Sequence, residues 1–183
     1  MRALPLVVLL SLCSACAPVR GAVASPPAAA APYRLGPGDE VRVTVFGLDA
    51  ANANYVVGDA GSIALPLIAP IRASGLTVDE LAAALAEAIR ARALVKAPSV
   101  TVQVQKYRPF YILGEVQKPG QYPYVPGMSV LAAVSIAGGY TFRANKKSAM
   151  IVRGGDGNVI KSRGPAQTPV QPGDTITVPE AWF

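Results

Sequence analysis

Two stretches of the chain alternate between apolar and polar residues, which is the period-two pattern of half-buried strands. Residues 41–45 read Val-Arg-Val-Thr-Val and residues 100–105 read Val-Thr-Val-Gln-Val-Gln. Between them, the short apolar runs 55–57 and 63–65 flank the turn-forming residues 58–61. This arrangement predicts a hairpin with a glycine-containing loop.

An amphipathic helix is predicted to begin after Thr77. Thr77 is a good N-cap, and Glu80 three residues later completes a capping box. Apolar residues then recur at three- and four-residue spacing, which places them on one side of the helix: Val78, Leu81, Leu85, Ala88 and Ile89. Pro98 closes the helical region, so the first half is predicted to be a compact α+β unit.

The second half repeats this arrangement with different lengths. Residues 110–116 and 121–125 are predicted strands joined by Lys118-Pro119-Gly120. A helix capped by Ser129 follows and is predicted to bury Leu131, Val134 and Ala137, with Gly138 as its left-handed end.

Two further strands are predicted at 149–153 and 175–178. Residues 154–172 are predicted to form a loop that begins with a hairpin-like turn at 154–157, because they are rich in glycine and proline.

A similar turn precedes the first and the last strand. Gly36-Pro37-Gly38-Asp39 leads into the first, and Gln171-Pro172-Gly173-Asp174 leads into the last. Proline followed by glycine is typical of type II turns, and aspartate there commonly accepts bonds from local backbone amides. A paired-carboxylate or metal site would need histidine or more acids nearby, so we interpret both aspartates as turn residues.

The composition argues against an enzyme. The chain has no histidine, and its two cysteines, Cys13 and Cys16, lie near the start. Glu115 is expected to face solvent beside Lys118 rather than act as a catalytic acid. The glycine pairs do not open helices as a phosphate cradle requires. We therefore expect no catalytic residues, no cofactor and no metal site.

Aromatic residues cluster in the second half: Tyr107, Phe110, Tyr111, Tyr122, Tyr124, Tyr140 and Phe142. Such rings can stack on sugars, but clustered aromatics more often pack within a core. We favour packing and keep a carbohydrate surface as the alternative.

The N-terminus has the pattern of an export signal. Arg2 precedes a short apolar run, which predicts a signal peptide over residues 1–15. Ser14-Ala15-Cys16 resembles a lipobox and makes Cys16 the expected lipid attachment site, although Cys13 departs from that pattern. The alternative is ordinary cleavage after Ala24. Residues 16–31 are rich in alanine and proline and are predicted to be a flexible tether.

The formal net charge is +6, and removal of residues 1–15 takes away only Arg2, which leaves +5. Such a surplus favours acidic polymers, either nucleic acid or anionic polysaccharide. Export argues against nucleic acid. The basic residues are scattered along the sequence, so we favour a solvated basic surface.

The chain resembles a polysaccharide export protein of the outer-membrane auxiliary type. Residues 33–43, 58–66 and 98–102 are similar to that family's opening motif, its hairpin and its closing strand. Residues 112–116, 118–120 and 137–139 resemble the SLBB module, a soluble-ligand-binding β-grasp domain. The resemblance implies an α+β fold with a small polysaccharide export domain at 32–105 followed by an SLBB domain at 108–180.

The resemblance also implies a function without catalysis. Members assemble into a periplasmic ring that is anchored to the outer membrane of a Gram-negative bacterium and conducts a capsular polysaccharide or exopolysaccharide. Their partner is an inner-membrane polysaccharide co-polymerase, a chain-length regulator often fused to a tyrosine kinase. Because the chain ends at Phe183 without the family's C-terminal membrane helix, we expect a separate outer-membrane β-barrel or another partner as the pore. The alternative function is a periplasmic saccharide-binding or sensing lipoprotein.

Overall fold

The computed structural model describes residues 32–155 and 158–181. The predicted signal peptide, Cys16 and the tether lie outside the described residues. Within the described ranges, no helix is both long and apolar enough to cross a membrane.

The described residues form a mixed α+β structure, as predicted. A 3-10 turn lies at Asp49–Ala51, and the helices are α1 (Val78–Ala91) and α2 (Val130–Ile136). The strands are β1 (Glu40–Val45), β2 (Ala53–Val56), β3 (Ser62–Ile63), β4 (Ile71–Arg72), β5 (Val100–Lys106), β6 (Phe110–Gly114), β7 (Gly120–Tyr122), β8 (Ala149–Gly155), β9 (Asn158–Gly164) and β10 (Thr175–Val178).

The first half is built on an antiparallel sheet of order β2-β1-β5. Val41, Val43 and Val45 are fully buried, as their alternation predicts. Helix α1 has the predicted capping box, in which Thr77 Oγ1 accepts from the Glu80 amide at 3.2 Å and a Glu80 carboxylate oxygen accepts from the Thr77 amide at 2.8 Å. Its buried residues belong to the same core cluster as those valines: Leu81, Leu85 and Ile89.

The predicted hairpin, in which residues 55–57 pair with residues 63–65 across the turn at 58–61, is wrong in its strand pairing. A tight turn is present, since the Gly58 amide donates to the Ser62 carbonyl at 2.9 Å. However, β2 pairs with β1, and β3 pairs with β4. The reason is that β1 gives β2 a ladder of four residue pairs, while the turn sends Ile63 into the core opposite Ile71.

The second half is a five-stranded sheet of order β7-β6-β10-β8-β9. Strands β6 and β10 run parallel, and every other neighbouring pair is antiparallel. Helix α2 lies between β7 and β8 in the chain. This order, with the parallel pair in the middle, is that of a β-grasp sheet, as the resemblance implied. A second core cluster includes Phe110, Ile112, Ile151, Ile176 and Val178.

The predicted buried face of α2 is correct in part. Val134 and Ala137 are buried, but Leu131 is 47% exposed, and Val130 and Ala133 are buried instead. The buried residues follow the three- and four-residue spacing of one helix face: 130, 133, 134 and 137. The prediction assigned Leu131 to that face because it is a large apolar residue. Gly138 has φ +84°, as expected for the left-handed end.

Two other predictions fail at sheet edges. Residues 158–164 were expected to be loop but form β9, which pairs along β8. Gly155 lies opposite Asn158 in this pairing, and residues 156 and 157 of the predicted hairpin-like turn lie outside the described residues. Conversely, the second strand of this half ends at Tyr122 rather than residue 125, because Pro123 has no amide hydrogen to donate.

Candidate functional site

The two Gly-Asp turns contain the two buried charged side chains of the described part of the chain. Asp39 and Asp174 are both fully buried. Asp39 accepts from the Gly36 amide at 2.8 Å, and Asp174 accepts from the Gln171 amide at 2.8 Å. The prediction that each aspartate bonds a local backbone amide is therefore confirmed.

Asp39 also binds groups far along the chain. Its carboxylate accepts from the Tyr33 hydroxyl at 2.5 Å and from the Arg108 backbone amide at 2.8 Å. The Arg108 guanidinium adds a longer contact of 3.3 Å. A buried carboxylate is tolerated when donors satisfy its lone pairs, and here four donors do so.

Asp174 forms a bidentate ion pair with one arginine. Arg153 donates from Nε at 2.8 Å and from Nη2 at 2.7 Å, one bond to each carboxylate oxygen. This planar fork matches the geometry of a carboxylate. The hydrogen bonds to Asp174 are the main cause of the raised pKa of Arg153.

Arg108 connects the two turns. Besides its contacts with Asp39, its Nε donates to the carbonyl of Pro172 in the second turn at 3.1 Å. A Cβ atom at Gly36 would lie 1.9 Å from Arg108 Nη1, and one at Gly173 would lie 2.7 Å from Nε. The glycines therefore provide the space that Arg108 occupies, and one side chain ties the start of the first half to the end of the second.

A row of aromatic rings lies beside Arg108. Tyr107 makes edge-to-face contacts with Tyr33 at 5.1 Å and with Tyr124 at 5.4 Å between ring centroids. Arg108 lies 5.9 Å from the Tyr33 centroid, within cation–π range. Burial, together with the bond to Asp39, holds the pKa of Tyr33 far above its usual value, so Tyr33 remains a hydrogen-bond donor.

The structure divides the aromatic cluster that the sequence grouped together. Phe110 is buried and stacks on Tyr122 at 6.0 Å, and three rings pack against the second core: Tyr122, Tyr124 and Tyr140. These agree with the packing interpretation. Tyr111 and Phe142, in contrast, are 43% and 92% exposed. Glu115 is half-buried and accepts from the Thr141 hydroxyl, and it makes no ion pair with Lys118.

The site, defined here as Tyr33, Asp39, Arg108, Arg153 and Asp174, is a joint between the two halves. Within residues 32–155 and 158–181, no three His, Cys, Asp or Glu side chains come close enough to hold a metal ion. Sequence reasoning found both aspartates through the repeated turn but missed both arginines and Tyr33. Arg108 lies 69 residues from Asp39, and nothing local signals that contact.

Comparison with protein families divides the chain in the same order. A family model described as polysaccharide biosynthesis/export protein matches residues 27–105, and the SLBB domain model matches residues 109–161.

Three relatives illustrate the similarity. The exopolysaccharide production protein ExoF of Rhizobium meliloti is 40% identical over 118 residues, which cover 58% of this chain and 28% of ExoF. The EPS I polysaccharide export outer membrane protein EpsA of Ralstonia solanacearum is 34% identical over 156 residues, 70% of this chain and 41% of EpsA. The polysialic acid transport protein KpsD of Escherichia coli is 28% identical over 109 residues, 58% of this chain and 19% of KpsD. The matched region thus spans less than half of each relative.

Proposed function

We propose that this chain, which belongs to the polysaccharide export proteins that carry an SLBB domain, is a non-enzymatic component of a channel that exports a capsular polysaccharide or exopolysaccharide. The observation that carries the proposal is the order of the two matched domains together with the Arg108 joint that binds them into one body. We place the export domain at residues 32–105 and the SLBB domain at residues 108–180.

The channel component we propose is a ring of identical subunits. Strands β2 and β5 are the edges of the first sheet, and β7 and β9 are the edges of the second. Edge strands carry backbone groups that can pair with a neighbouring chain. Ring closure also requires every subunit to present the same angle between its two contact surfaces, and a bonded joint favours a constant angle.

The ring would lie in the periplasm, anchored to the outer membrane through a lipid on Cys16. Its proposed partners are an inner-membrane co-polymerase with a chain-length regulator or tyrosine-kinase role, the polysaccharide itself, and a separate outer-membrane pore. The similarity to proteins named for polysaccharide export and transport supports the export role.

Native mass spectrometry of the purified chain tests the ring. We expect one closed oligomer of uniform subunit number. A monomer that binds a small saccharide tightly would contradict the ring and support a saccharide-binding or sensing lipoprotein. A groove of about 340 Å³ beside Tyr33 and Tyr107, also lined by Gln103, is the place where such a ligand would be sought.

A further inference from the structure

The positive charge of the chain is concentrated in its second half. Residues 32–107 contain seven basic and seven acidic residues, a net charge of zero. Residues 108–183 contain eight basic and four acidic residues, a net charge of +4. Of the net charge of +5 that remains after removal of residues 1–15, four charges therefore lie on the SLBB side of the joint, and Arg20 supplies the fifth.

Most acidic groups of this half are already engaged. Asp174 is bound by Arg153, Glu180 by Arg143, and Glu115 by the Thr141 hydroxyl. The fourth, Asp156, lies outside the described residues. Five cations of this half make no ion pair with any described residue: Lys118, Lys146, Lys147, Lys161 and Arg163.

Two of these cations lie on the open face of the β-grasp sheet. Arg163 of β9 is opposite Met150 of β8, and Lys161 is opposite Val152. Directly opposed residues of an antiparallel pair share a face, and Ile151 between those two β8 residues is buried on the α2 side. Lys161 and Arg163 therefore lie on the face that α2 does not cover.

The strand register shows which residues lie side by side on this face, and they form two rows across the sheet. The first row runs across β6, β10, β8 and β9 through Tyr111, Thr175, Val152 and Lys161. The second runs through Leu113, Thr177, Met150 and Arg163. We call these eight residues the open sheet face. It contains an exposed tyrosine, two threonine hydroxyls and two cations, and it contains no acidic residue.

We propose that the open sheet face binds an acidic polysaccharide. The inference rests on the proposed export function and specifies the chemistry of the exported polymer. Lysine and arginine bind sugar carboxylates through charge-assisted hydrogen bonds, and the threonine hydroxyls can exchange hydrogen bonds with sugar hydroxyls. The Tyr111 ring offers an apolar surface for a sugar ring. Tyr111 and Lys161 lie three strand spacings apart, about 14 Å, so a polymer crossing the strands reaches both.

The charge of the open sheet face favours an acidic polymer over a second copy of the chain as its binding partner. Two copies paired through this same face would enclose four cations in one interface, with no acidic residue on either face to neutralise them. An anionic chain meets no such repulsion. The open sheet face is thus complementary to an acidic polymer and not to itself.

Equilibrium binding of the purified full chain to polygalacturonate and to neutral dextran tests the proposal. We expect salt-sensitive binding to polygalacturonate and little binding to dextran. The double variant Lys161→Gln/Arg163→Gln should bind polygalacturonate about two- to thirtyfold more weakly, the range expected for two exposed ion pairs. The control Arg72→Gln/Arg92→Gln removes the same charge from exposed positions in the first half and should bind like the unchanged chain.

Three results would overturn the proposal. These are no binding to polygalacturonate, equal weakening by the two double variants, or a changed oligomeric state of Lys161→Gln/Arg163→Gln with unchanged polymer binding. The last result would assign the face to a contact between copies. Expression of Lys161→Gln/Arg163→Gln in a strain that lacks the gene separates this inference from the export function. Full restoration of surface polysaccharide there would reject the acidic-polymer face and leave export intact.

Discussion

Replacing Asp39 with alanine should lower the free energy of unfolding by about 3–5 kcal/mol, the usual effect of removing one partner from a buried ion pair. The change leaves the amides of Gly36 and Arg108 without their acceptor, and it leaves the Arg108 guanidinium without its counter-charge. Tyr33 loses its hydrogen-bond acceptor as well. For a chain of this size, the melting temperature should fall by roughly 6–20 °C.

Urea denaturation measures this effect, and Asp59→Ala is the matched control. Asp59 is an exposed turn residue, so its loss should change stability by less than about 0.5 kcal/mol. Equal stability of Asp39→Ala and Asp59→Ala would contradict the role given to the joint. Asp174→Ala should also destabilise, because Arg153 and the Gln171 amide lose their partner.

Replacing Gly114 with alanine should lower the free energy of unfolding by about 2–5 kcal/mol, through a strained backbone and overpacking together. Gly114 has φ +84° at the end of β6. An added Cβ would lie 2.2 Å from the carbonyl oxygen of Val178, which already accepts from the Glu115 amide at 3.0 Å. That oxygen belongs to the backbone of β10, so it cannot move without disturbing the central parallel pair of the sheet.

Gly127→Ala separates the strain from the clash. Gly127 has φ +81°, but nothing lies within 4 Å of its added Cβ. It should cost only the backbone strain, about 1–2 kcal/mol. If thermal denaturation gave the two alanine variants the same stability, the close approach of β6 to β10 would be wrong.

The sequence predicted the elements whose signals are local. The capping box at Thr77 fixed the start of α1, the alternation at residues 41–45 identified β1, and β10 was predicted with its observed bounds. The repeated turn pointed to Asp39 and Asp174 because the proline, glycine and aspartate that form each turn are consecutive in the chain.

The remaining features depend on distant contacts. Strand β9 is an edge strand, and its residues 160–163 are all exposed, with Ile160 at 61%, so no alternation of buried and exposed positions marks this stretch. Both β1 and β3 are neighbours of β2 in the chain, and the local sequence pattern does not indicate which of them pairs with it. Arg108 joins two turns from opposite ends of the fold, and such long-range contacts leave no periodic signal in the sequence.

The central claim is that this chain moves a finished polysaccharide out of the cell and does not make it. The similarity to relatives that are named for polysaccharide export and transport supports that claim. A protein with this role should act after synthesis, so its loss should block passage of the polymer and leave polymerisation able to proceed.

The most direct test compares polysaccharide on the cell surface with polysaccharide retained inside the cell, in a strain that lacks this gene and in the same strain complemented with it. We predict that the surface polymer is lost, that polymer is still found inside the cell, and that complementation returns it to the surface. Unchanged surface polysaccharide in the strain that lacks the gene would contradict the export function.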